Sequence, residues 1–350
     1  MNKYTIAVVG ATGAVGTKMI EMLESSALPI REIKVLASKR SAGRKLMVNG
    51  SELVIEETTP EAFDGVDIAL FSAGGDVSKQ FAPEAVKRGA IVIDNTSAYR
   101  MDPTVPLVVP EVNPEALKQH NGIISNPNCS TIQMMVALDP IRKKYGLSRI
   151  IVSTYQAVSG AGIAAVKEMK DQARKMLNNE TYEANILPSG GDKKHYPIAF
   201  NILPQIDLFA EEGYTYEEWK MINETKKIMS DNEIKISATC VRVPVVSGHS
   251  ESIYIEVVDE SATVAGIKEV LETAPGVELQ DDPSVQLYPT PLTADGKKET
   301  FVGRIRQDID VKTGYHLWVV SDNLIKGAAL NSVQIAEKLH TMSLIKNKMN

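Results

Sequence analysis

The feature that most constrains the fold is a glycine-rich segment between an apolar run and an amphipathic pattern. Gly10, Gly13 and Gly16 follow the buried-strand pattern Thr5–Gly10 and open the helical pattern Val15–Ser25. Glycine permits a tight turn and close approach of the backbone to a phosphate, and a helix N-terminus offers N–H groups to an anion. The segment therefore predicts a βα unit that binds the pyrophosphate of a dinucleotide. Its first spacing is one residue wider than the usual fingerprint, and a tight turn without a ligand is the alternative interpretation.

The alternation of strand and helix continues through the first third of the chain. Further buried-strand patterns lie at Ile33–Ser38, Asp67–Ala73, Ala90–Thr96 and Gly122–Asn126, and further helical patterns at Val77–Arg88 and Asn113–His120. Strands that alternate with helices in this way predict a parallel, doubly wound sheet, so the fold class is α/β.

From about Arg149 the pattern changes to long strands with fewer helices, which predicts an α+β second domain. Strands are predicted at Arg149–Val158, Lys235–Val246, Glu251–Asp259, Phe301–Ile309 and His316–Ser321, and helices at Ala164–Asn178 and Thr215–Ser230. The closing segment Leu324–Met342 is an amphipathic helix, which we expect to return to the first domain.

Composition excludes several functional classes. The chain has 350 residues and a net charge of -6, which argues against a broad nucleic-acid footprint. No apolar run approaches the length that spans a membrane, and the N-terminus shows no signal peptide. Cys129 and Cys240 are the two cysteines and lie far apart, and the five histidines are scattered. We therefore expect a cytoplasmic enzyme with no disulfide scaffold and no metal site.

The end of the second predicted strand indicates which dinucleotide binds. NAD enzymes usually place an acidic residue there for the ribose 2′-hydroxyl. Here Ala37–Ser41 reads ASKRS, with Arg44 close behind, and such side chains suit a 2′-phosphate. We predict NADP(H), against the alternative of an ordinary solvated basic loop. In this domain, the residues expected to contact the cofactor are Gly10, Thr12, Gly13, Ala14, Val15, Gly16, Ser38, Lys39, Arg40, Ser41, Ser72 and Gly74.

Cys129 is the candidate nucleophile. The segment Ser125–Thr131, SNPNCST, lies between a buried strand and the apolar helical pattern Ile132–Tyr145, so Cys129 is predicted at a helix N-terminus. The helix dipole and backbone N–H groups there stabilise a thiolate and could hold an oxyanion. The alternative is a small buried cysteine that only packs, but the polar neighbours argue against it. Cys240 alternates as a strand residue, and burial is its expected role.

A nucleophile needs a proton partner, and His249 is the leading candidate. It lies in a loop between two predicted strands, in the run PVVSGHSE. A lone loop histidine is more often simply solvated, so context has to decide. The remaining histidines lie in less suggestive settings, and His195 is the nearest competitor.

Five dispersed motifs occur in the same order in one known family. They are SNPNCST, TYQAVSGAG, the helix with EEWK and ETKKI, CVRVPVVSGHSES and DNLIKGAA, and the resemblance covers the chain from GATGAVG to the final helix. The basic loop, the segment NTSAYR and the EEWK helix are most like one branch of that family. In these motifs the chain resembles the aspartate-semialdehyde dehydrogenases, and most closely their bacterial branch. The resemblance implies a Rossmann-type NADP-binding domain of residues 1–128 with 324–350, and a catalytic and dimerisation domain of residues 129–323. It implies a homodimer or a dimer of dimers.

The resemblance also implies a reaction. L-Aspartyl 4-phosphate and NADPH are converted reversibly to L-aspartate 4-semialdehyde, phosphate and NADP, a step towards lysine through diaminopimelate, methionine, threonine and isoleucine. Cys129 would attack the acyl phosphate and form a thioester, which hydride reduces to a thiohemiacetal. His249 would act as acid and base, and Gln156 would orient the reacting group.

The other matched residues are expected to bind substrate or cofactor. Arg242 would grip the α-carboxylate, Glu217 the α-ammonium group, and Lys220 with Arg100 and Asn128 the phosphate. Ser159, Gly160 and Asn323 would lie near the nicotinamide. Glu218 is an alternative to Glu217; the latter is preferred because it has the i,i+3 relation to Lys220, although surface ion pairs with that spacing are common.

Three other interpretations remain. N-acetyl-glutamyl-phosphate reductase uses the same chemistry, but its acetylated amine needs no acidic partner. Glyceraldehyde-phosphate dehydrogenase has a similar reaction scheme, but the basic loop at Lys39–Arg40 disfavours NAD, its usual cofactor. A non-catalytic NADP-binding regulator would have little reason to keep Cys129, Gln156, Arg242 and His249 together.

Overall fold

The computed structural model describes residues 3–48 and 50–345 and divides into two compact units. The first comprises the residues up to Asn128 together with those from Ala328 onward, and the second comprises Cys129–Gly327. Residues 324–327, which the sequence suggested for the first domain, belong to the second unit. Positions 1, 2, 49 and 346–350 of the predicted first domain lie outside the described residues.

The first unit contains a six-stranded parallel sheet and a separate antiparallel hairpin. Its strands are β1 (Tyr4–Val9), β2 (Ile30–Ala37), β3 (Lys45–Val48), β4 (Ser51–Val54), β5 (Glu56–Glu57), β6 (Ile68–Phe71), β7 (Ile91–Asp94) and β8 (Ile123–Ser125). Its helices are α1 (Ala14–Glu24), α2 (Gly75–Lys87) and, at the end of the chain, α8 (Leu330–Thr341). Short 3-10 turns lie at Lys39–Ser41, Pro60–Phe63 and Pro114–Gln119.

The strand order of the parallel sheet confirms the doubly wound prediction. The order is β5-β2-β1-β6-β7-β8, so the chain leaves β1 towards one edge and returns to the other side of it at β6. The loops that follow β1 and β6 therefore diverge at the carboxyl edge and open a crevice there, where open α/β sheets bind ligands.

Both faces of this sheet are covered, as the continuous apolar strands require. All of β1 is buried: Ile6 and Val8 face one apolar cluster, and Ala7 and Val9 face another. The first cluster includes Val333, Ala336 and Leu339 of α8. The expectation that the closing helix returns to the first unit is therefore confirmed.

Three local predictions were wrong in detail. The pattern Asn113–His120 forms a 3-10 turn, which begins at Pro114. The predicted helix Leu324–Met342 opens with a π-helical turn at Ile325–Ala329, and regular α-helix begins only at Leu330. The strand predicted at Lys235–Val246 ends at Arg242, shortly before Pro244, which has no N–H for a ladder.

The second unit is built on a six-stranded mixed sheet of order β10-β9-β11-β14-β13-β12. The strands are β9 (Arg149–Gln156), β10 (Lys235–Arg242), β11 (His249–Glu256), β12 (Val277–Leu279), β13 (Thr300–Gln307) and β14 (Gly314–Ser321). The helices are α3 (Cys129–Tyr145), α4 (Ile163–Leu177), α5 (Tyr216–Met229), α6 (Val264–Glu272) and α7 (Pro291–Ala294). Turns of 3-10 type lie at Val158–Ala161, Glu211–Gly213 and Pro283–Val285.

One face of this mixed sheet is covered by helices. The other is open around β9, although Ala294 of α7 packs there on Phe301 and Val320 of β13 and β14. Helices α3, α5 and α6 pack against the sheet strands. In β9, Ile150, Val152 and Thr154 are buried, whereas the alternating Ile151 is 41 % exposed. Such period-two alternation marks a sheet with one covered face. No helix of the described residues is both long and apolar enough to cross a bilayer.

Candidate active site

The predicted glycine loop borders a cavity of ≈ 460 Å³ at the carboxyl edge of the parallel sheet. The residues that line it are Gly10, Thr12, Gly13, Ala37, Ser38, Lys39, Glu57, Thr58, Ser72, Ala73, Val77 and Phe81. Six of the predicted cofactor contacts are among them. The cavity is large enough for part of a dinucleotide and lies where β1 and β6 diverge.

Two glycines of the loop are required by close backbone approach. Gly10 has φ +84°, and a Cβ there would lie 2.9 Å from the backbone nitrogen of Ala73. A Cβ at Gly16 would lie 2.2 Å from the carbonyl oxygen of Gly10. The loop thus packs directly on the loop after β6, and α1 begins beside it at Ala14. At both positions glycine is needed for the close approach of two backbone segments, while the approach to a pyrophosphate stays a prediction.

The cavity also contains an acidic residue that the sequence analysis missed. Glu57 lines it because β5 pairs with the end of β2, with Ala37 opposite Glu57. No acidic residue directly follows β2 in the sequence, but strand pairing brings the carboxylate of Glu57 close to the end of β2 in the structure. Lys39 also lines the cavity, whereas Ala14, Val15, Gly16, Arg40, Ser41 and Gly74 are not among its lining residues.

Cys129 is the first residue of α3 and is half-buried, in agreement with its predicted place at a helix N-terminus. Gly327 packs against it: a Cβ at Gly327 would lie 2.8 Å from the Cβ of Cys129. Cys240 differs sharply, since it is 0 % exposed and burial raises the pKa of its thiol well above the usual value. Cys129 is thus the more accessible of the two free thiols.

His249 begins β11 and is completely buried. Its Nδ1 accepts a hydrogen bond from the backbone N–H of Ala157 at 3.0 Å, so the neutral ring carries its proton on Nε2. Burial, and then the positive charge of Arg242, lower the pKa of His249 to about 3, although Glu217 opposes the shift. The ring is therefore neutral at physiological pH, with Nε2–H as a donor.

The end of β9 connects this histidine to an acidic and basic pair on α5. Nε2 of Gln156 donates to Oε1 of Glu217 at 3.1 Å and lies 3.5 Å from Nε2 of His249. Nζ of Lys220 donates to Oε2 of Glu217 at 3.1 Å and to Oδ2 of Asp207 at 2.9 Å. Asp207 was not predicted, and its irregular, proline-bearing surroundings gave no signal for it.

Glu217 and Glu218 have separate roles in the structure. The Glu218 carboxylate accepts from the backbone N–H of Thr215 at 2.8 Å and of Cys240 at 2.9 Å, and it completes a capping box at the start of α5. Glu217 faces Gln156 and Lys220 instead. The geometry therefore favours Glu217 as the acid that faces the site.

Arg242 ends β10 beside Gln156 of β9, and its side chain is buried. Nη1 donates to the carbonyl oxygen of Ala157 at 2.8 Å, whereas the buried Nε has no hydrogen-bond partner among the described residues. Burial lowers the pKa of Arg242, and Glu217 and Cys129 oppose that shift. A guanidinium stays protonated, so it presents an unsatisfied cationic donor to a ligand.

Gly160 leaves room for this cluster. A Cβ on Gly160 would lie 3.1 Å from Nη1 of Arg242 and 3.4 Å from Cε1 of His249. Nearby, Asn323 and Ser159 hydrogen-bond to each other at 3.0 Å, and Oδ1 of Asn323 accepts from the N–H of Gly248 at 3.0 Å. These predicted residues thus hold the turn that precedes His249.

The remaining candidates separate between the units. Arg100 and Asn128 belong to the first unit, where Nε of Arg100 donates to the carbonyl oxygen of Asn126 at 3.0 Å and Nη2 to that of Asn95 at 2.9 Å. His195, the competitor to His249, lies in the irregular stretch between α4 and α5, and its buried Nδ1 lacks a hydrogen-bond partner among the described residues.

The fold and the cavity beside the glycine loop are those of a dinucleotide-dependent dehydrogenase. Two family models match: the semialdehyde dehydrogenase NAD binding domain over residues 5–120, and the semialdehyde dehydrogenase dimerisation domain over residues 138–326. The aspartate-semialdehyde dehydrogenase of Bacillus subtilis (strain 168) is 63 % identical over 340 residues, covering 97 % of this chain and 98 % of the relative.

Two solved structures extend this result. Aspartate semialdehyde dehydrogenase II of Vibrio cholerae, complexed with ASA, matches with a TM-score of 0.93 and 45 % identity over 97 % of this chain and 99 % of that one. The enzyme of Candida albicans with NADP matches with a TM-score of 0.75 and 29 % identity, over 98 % of this chain and 100 % of that one. The chain belongs to the aspartate-semialdehyde dehydrogenase family.

Proposed function

We propose that the chain reduces L-aspartyl 4-phosphate with NADPH to L-aspartate 4-semialdehyde and phosphate, a step in amino-acid biosynthesis. The observation that carries the proposal is the buried cluster of Gln156, Glu217, Arg242 and His249, in a family member whose α3 begins at Cys129. The cluster offers a cation, an anion and a neutral donor, which together match an amino acid with a reacting carbonyl group.

Substrate recognition is proposed to depend on two opposite charges in the cluster, the Arg242 guanidinium and the Glu217 carboxylate. The free Nε of Arg242 and its fixed, buried plane suit a carboxylate, which such a guanidinium grips through two parallel hydrogen bonds. The Glu217 carboxylate, fixed by Gln156 and Lys220, suits an α-ammonium group. Lys220 keeps a cation beside Glu217 and would attract the phosphate of the substrate.

The chemistry divides into two displacements at Cys129. The thiolate attacks the acyl carbon, the C–O bond to phosphate breaks, and a thioester forms; the departing phosphate takes up the proton that the overall reaction consumes. When bound, NADPH supplies a hydride. After hydride addition the carbonyl is re-formed, the C–S bond breaks and the thiolate is regained with the aldehyde.

His249 is proposed to act as a hydrogen-bond donor to the oxygen of both tetrahedral species. The expected role as acid and base needs a ring that can take up a proton, but Nδ1 is occupied by the Ala157 N–H and the pKa is lowered to about 3. A preorganised Nε2–H stabilises the developing oxyanion in a buried site without transferring its proton.

The first test is the reverse reaction, which avoids the labile acyl phosphate. Aspartate semialdehyde, phosphate and NADP are mixed with the enzyme, and NADPH absorbance is followed. Phosphate-dependent NADPH formation is expected, with loss in Cys129→Ala and retention in the matched control Cys240→Ala, whose thiol is fully buried. Equal loss in both variants, or no turnover by folded wild type, contradicts the proposal.

NADP is proposed as the preferred cofactor because Ser38 and Lys39 line the cavity at the end of β2. Glu57 lies in the same cavity and would favour a ribose 2′-hydroxyl, so the preference depends on which charge faces the 2′ position. Lys39→Ala is expected to raise KM for NADP by about 10-fold, the value of one charge-assisted hydrogen bond, and to leave KM for NAD nearly unchanged. If only Glu57→Ala alters the preference, in favour of NADP, the carboxylate selects the cofactor.

A homodimer is proposed through the open face of the mixed sheet. Ile151 is 41 % exposed on this face, and Tyr155 packs there against Trp318, with ring centroids 5.6 Å apart and ring planes tilted by 42°. An apolar sheet face of this kind usually has a partner, and the matching family model is a dimerisation domain. Ile151→Asp should shift the sedimenting species to monomer, whereas an unchanged species would show that another face associates.

A further inference from the structure

Glu251 is a buried acid that the reaction described above does not use. It lies in β11 two residues after His249, so both side chains project from the covered face of the sheet. Glu251 is 0 % exposed, and neither carboxyl oxygen has a hydrogen-bond partner that meets geometric criteria among the described residues. A buried carboxylate without a cation is costly, and burial raises the pKa of Glu251 well above its usual value.

Gln133 lies between this acid and the reactive centre. It is four residues after Cys129, so the two share one face of α3. Its Nε2 donates to the main-chain carbonyl oxygen of His249 at 3.2 Å. Its side chain also interacts with that of Glu251 and lowers the pKa of this acid, which offsets only part of the rise caused by burial. The buried Oε1 of Gln133 has no donor among the described residues. A protonated Glu251 has the O–H that Oε1 lacks.

We propose that Glu251, held as a neutral carboxylic acid, positions His249 by donating its O–H to Gln133, whose amide binds the His249 main chain. The pair Gln133–Glu251 then forms a hydrogen-bonded layer directly behind the pair Cys129–His249. It holds helix α3, which begins at Cys129, at a fixed distance from strand β11, which begins at His249. The inference deepens the proposed reaction and rests on it, but the protonation of Glu251 can be measured without turnover.

Infrared difference spectra between wild type and Glu251→Gln at neutral pH test the first step. The carbonyl stretch of a protonated carboxylic acid should be present in wild type and absent in Glu251→Gln. Asp139→Asn is the matched control, because Asp139 is also a buried carboxyl but forms ion pairs with Arg142 and Lys143, and its substitution should leave that band in place. If the band of an ionised carboxylate is lost instead, the proposal is wrong, whether or not the enzyme turns over.

Steady-state kinetics test the positioning role. Glu251→Leu removes the donor at similar volume and should lower kcat by about 10- to 100-fold, as small misplacements of a reacting group do, with KM for the aldehyde nearly unchanged. Glu251→Gln keeps an N–H donor and should retain most of kcat, which a purely volume-filling role would not require.

A double-mutant cycle tests the route of the effect. Gln133→Leu should cause a similar loss, and the double variant Gln133→Leu with Glu251→Leu should lose no more than either single variant. Additive losses, or full kcat in Glu251→Leu, would overturn the proposal. If Glu251→Leu does not fold, the infrared band of wild type and the kcat of Glu251→Gln still test the proposal. An ionised carboxyl in wild type, or an inactive Glu251→Gln, contradicts the proposal.

Discussion

Lowering the pH from 7 to 5 should destabilise the second unit through His249. The ring is 0 % exposed, its Nδ1 accepts the Ala157 N–H at 3.0 Å, and the charge of Arg242 lies nearby. Burial first, and then Arg242, lower the pKa of His249 to about 3, while Glu217 acts in the opposite direction. To accept a proton on Nδ1, the ring would have to break its bond to Ala157 inside a buried site.

The sign and size of the effect follow from linkage between protonation and folding. In the unfolded chain a histidine takes up its proton near pH 6.5, whereas the folded ring does so only near 3. The stability that the neutral ring contributes is therefore complete above pH 6.5 and is lost as the pH falls towards 3. For a single site with these two values, the loss between pH 7 and pH 5 is about 2 kcal/mol.

Denaturant unfolding at the two pH values measures this loss. The chain has two tryptophans, Trp219 and Trp318, and both belong to the second unit, so their fluorescence reports the unfolding of that unit. The comparison variant is His249→Asn, whose side-chain oxygen can still accept from Ala157. Wild type should lose about 2 kcal/mol more than the variant between pH 7 and pH 5, by linear extrapolation.

Two results would refute this reasoning. One is an equal pH dependence of the free energy of unfolding in wild type and His249→Asn. The other is a histidine resonance in NMR spectra of the folded protein, assigned to His249 by its absence from the variant, that titrates with a midpoint near the ordinary value. Either result would mean that the ring is solvated or that it carries its proton on Nδ1.

Three further predictions concern packing, substrate binding and the start of α5. Gly327→Ala should lower kcat and cost about 1–3 kcal/mol in unfolding experiments, since the new Cβ would lie 2.8 Å from that of Cys129; Gly190→Ala, which meets open space, should do neither. Glu217→Gln should raise KM for the amino aldehyde in steady-state assays. Glu218→Gln should lower the free energy of unfolding by about 1 kcal/mol, because an amide has one acceptor oxygen for the two backbone N–H groups, of Thr215 and Cys240, that the carboxylate accepts from. A raised KM in Glu218→Gln alone would contradict the choice of Glu217.

The fold was predictable from the sequence where the pattern was strong and local. Buried parallel strands are continuous apolar runs, and a glycine loop after a strand is typical of a βα turn. The doubly wound sheet was therefore predictable from the sequence. The short strand β5 and the 3-10 turn Pro114–Gln119 did not follow. Each depends on a few residues whose conformation is decided by pairing or by a proline rather than by periodicity.

The candidate site was predictable as a set of residues but not as a set of contacts. Gln156, Glu217, Arg242 and His249 were identified one by one, and the structure brings them together. The acid beside the cofactor cavity, Glu57, was missed because it reaches the end of β2 only through strand pairing.

The sequence by itself indicated which reactive groups the chain can offer: a glycine-rich loop between a strand and a helix, the Cys129 thiol at a helix start, and the His249 imidazole. Those properties follow from residue type and short-range spacing. His249 was predicted in a loop, whereas the structure makes it the first residue of β11. Only the tertiary structure decided which nitrogen of His249 carries the proton, which of Glu217 and Glu218 faces Gln156, and that Glu251 is buried without a hydrogen-bond partner among the described residues. These outcomes depend on hydrogen bonds between residues far apart in the chain, such as Ala157 and His249, and on the loss of solvent around them, which no local pattern encodes.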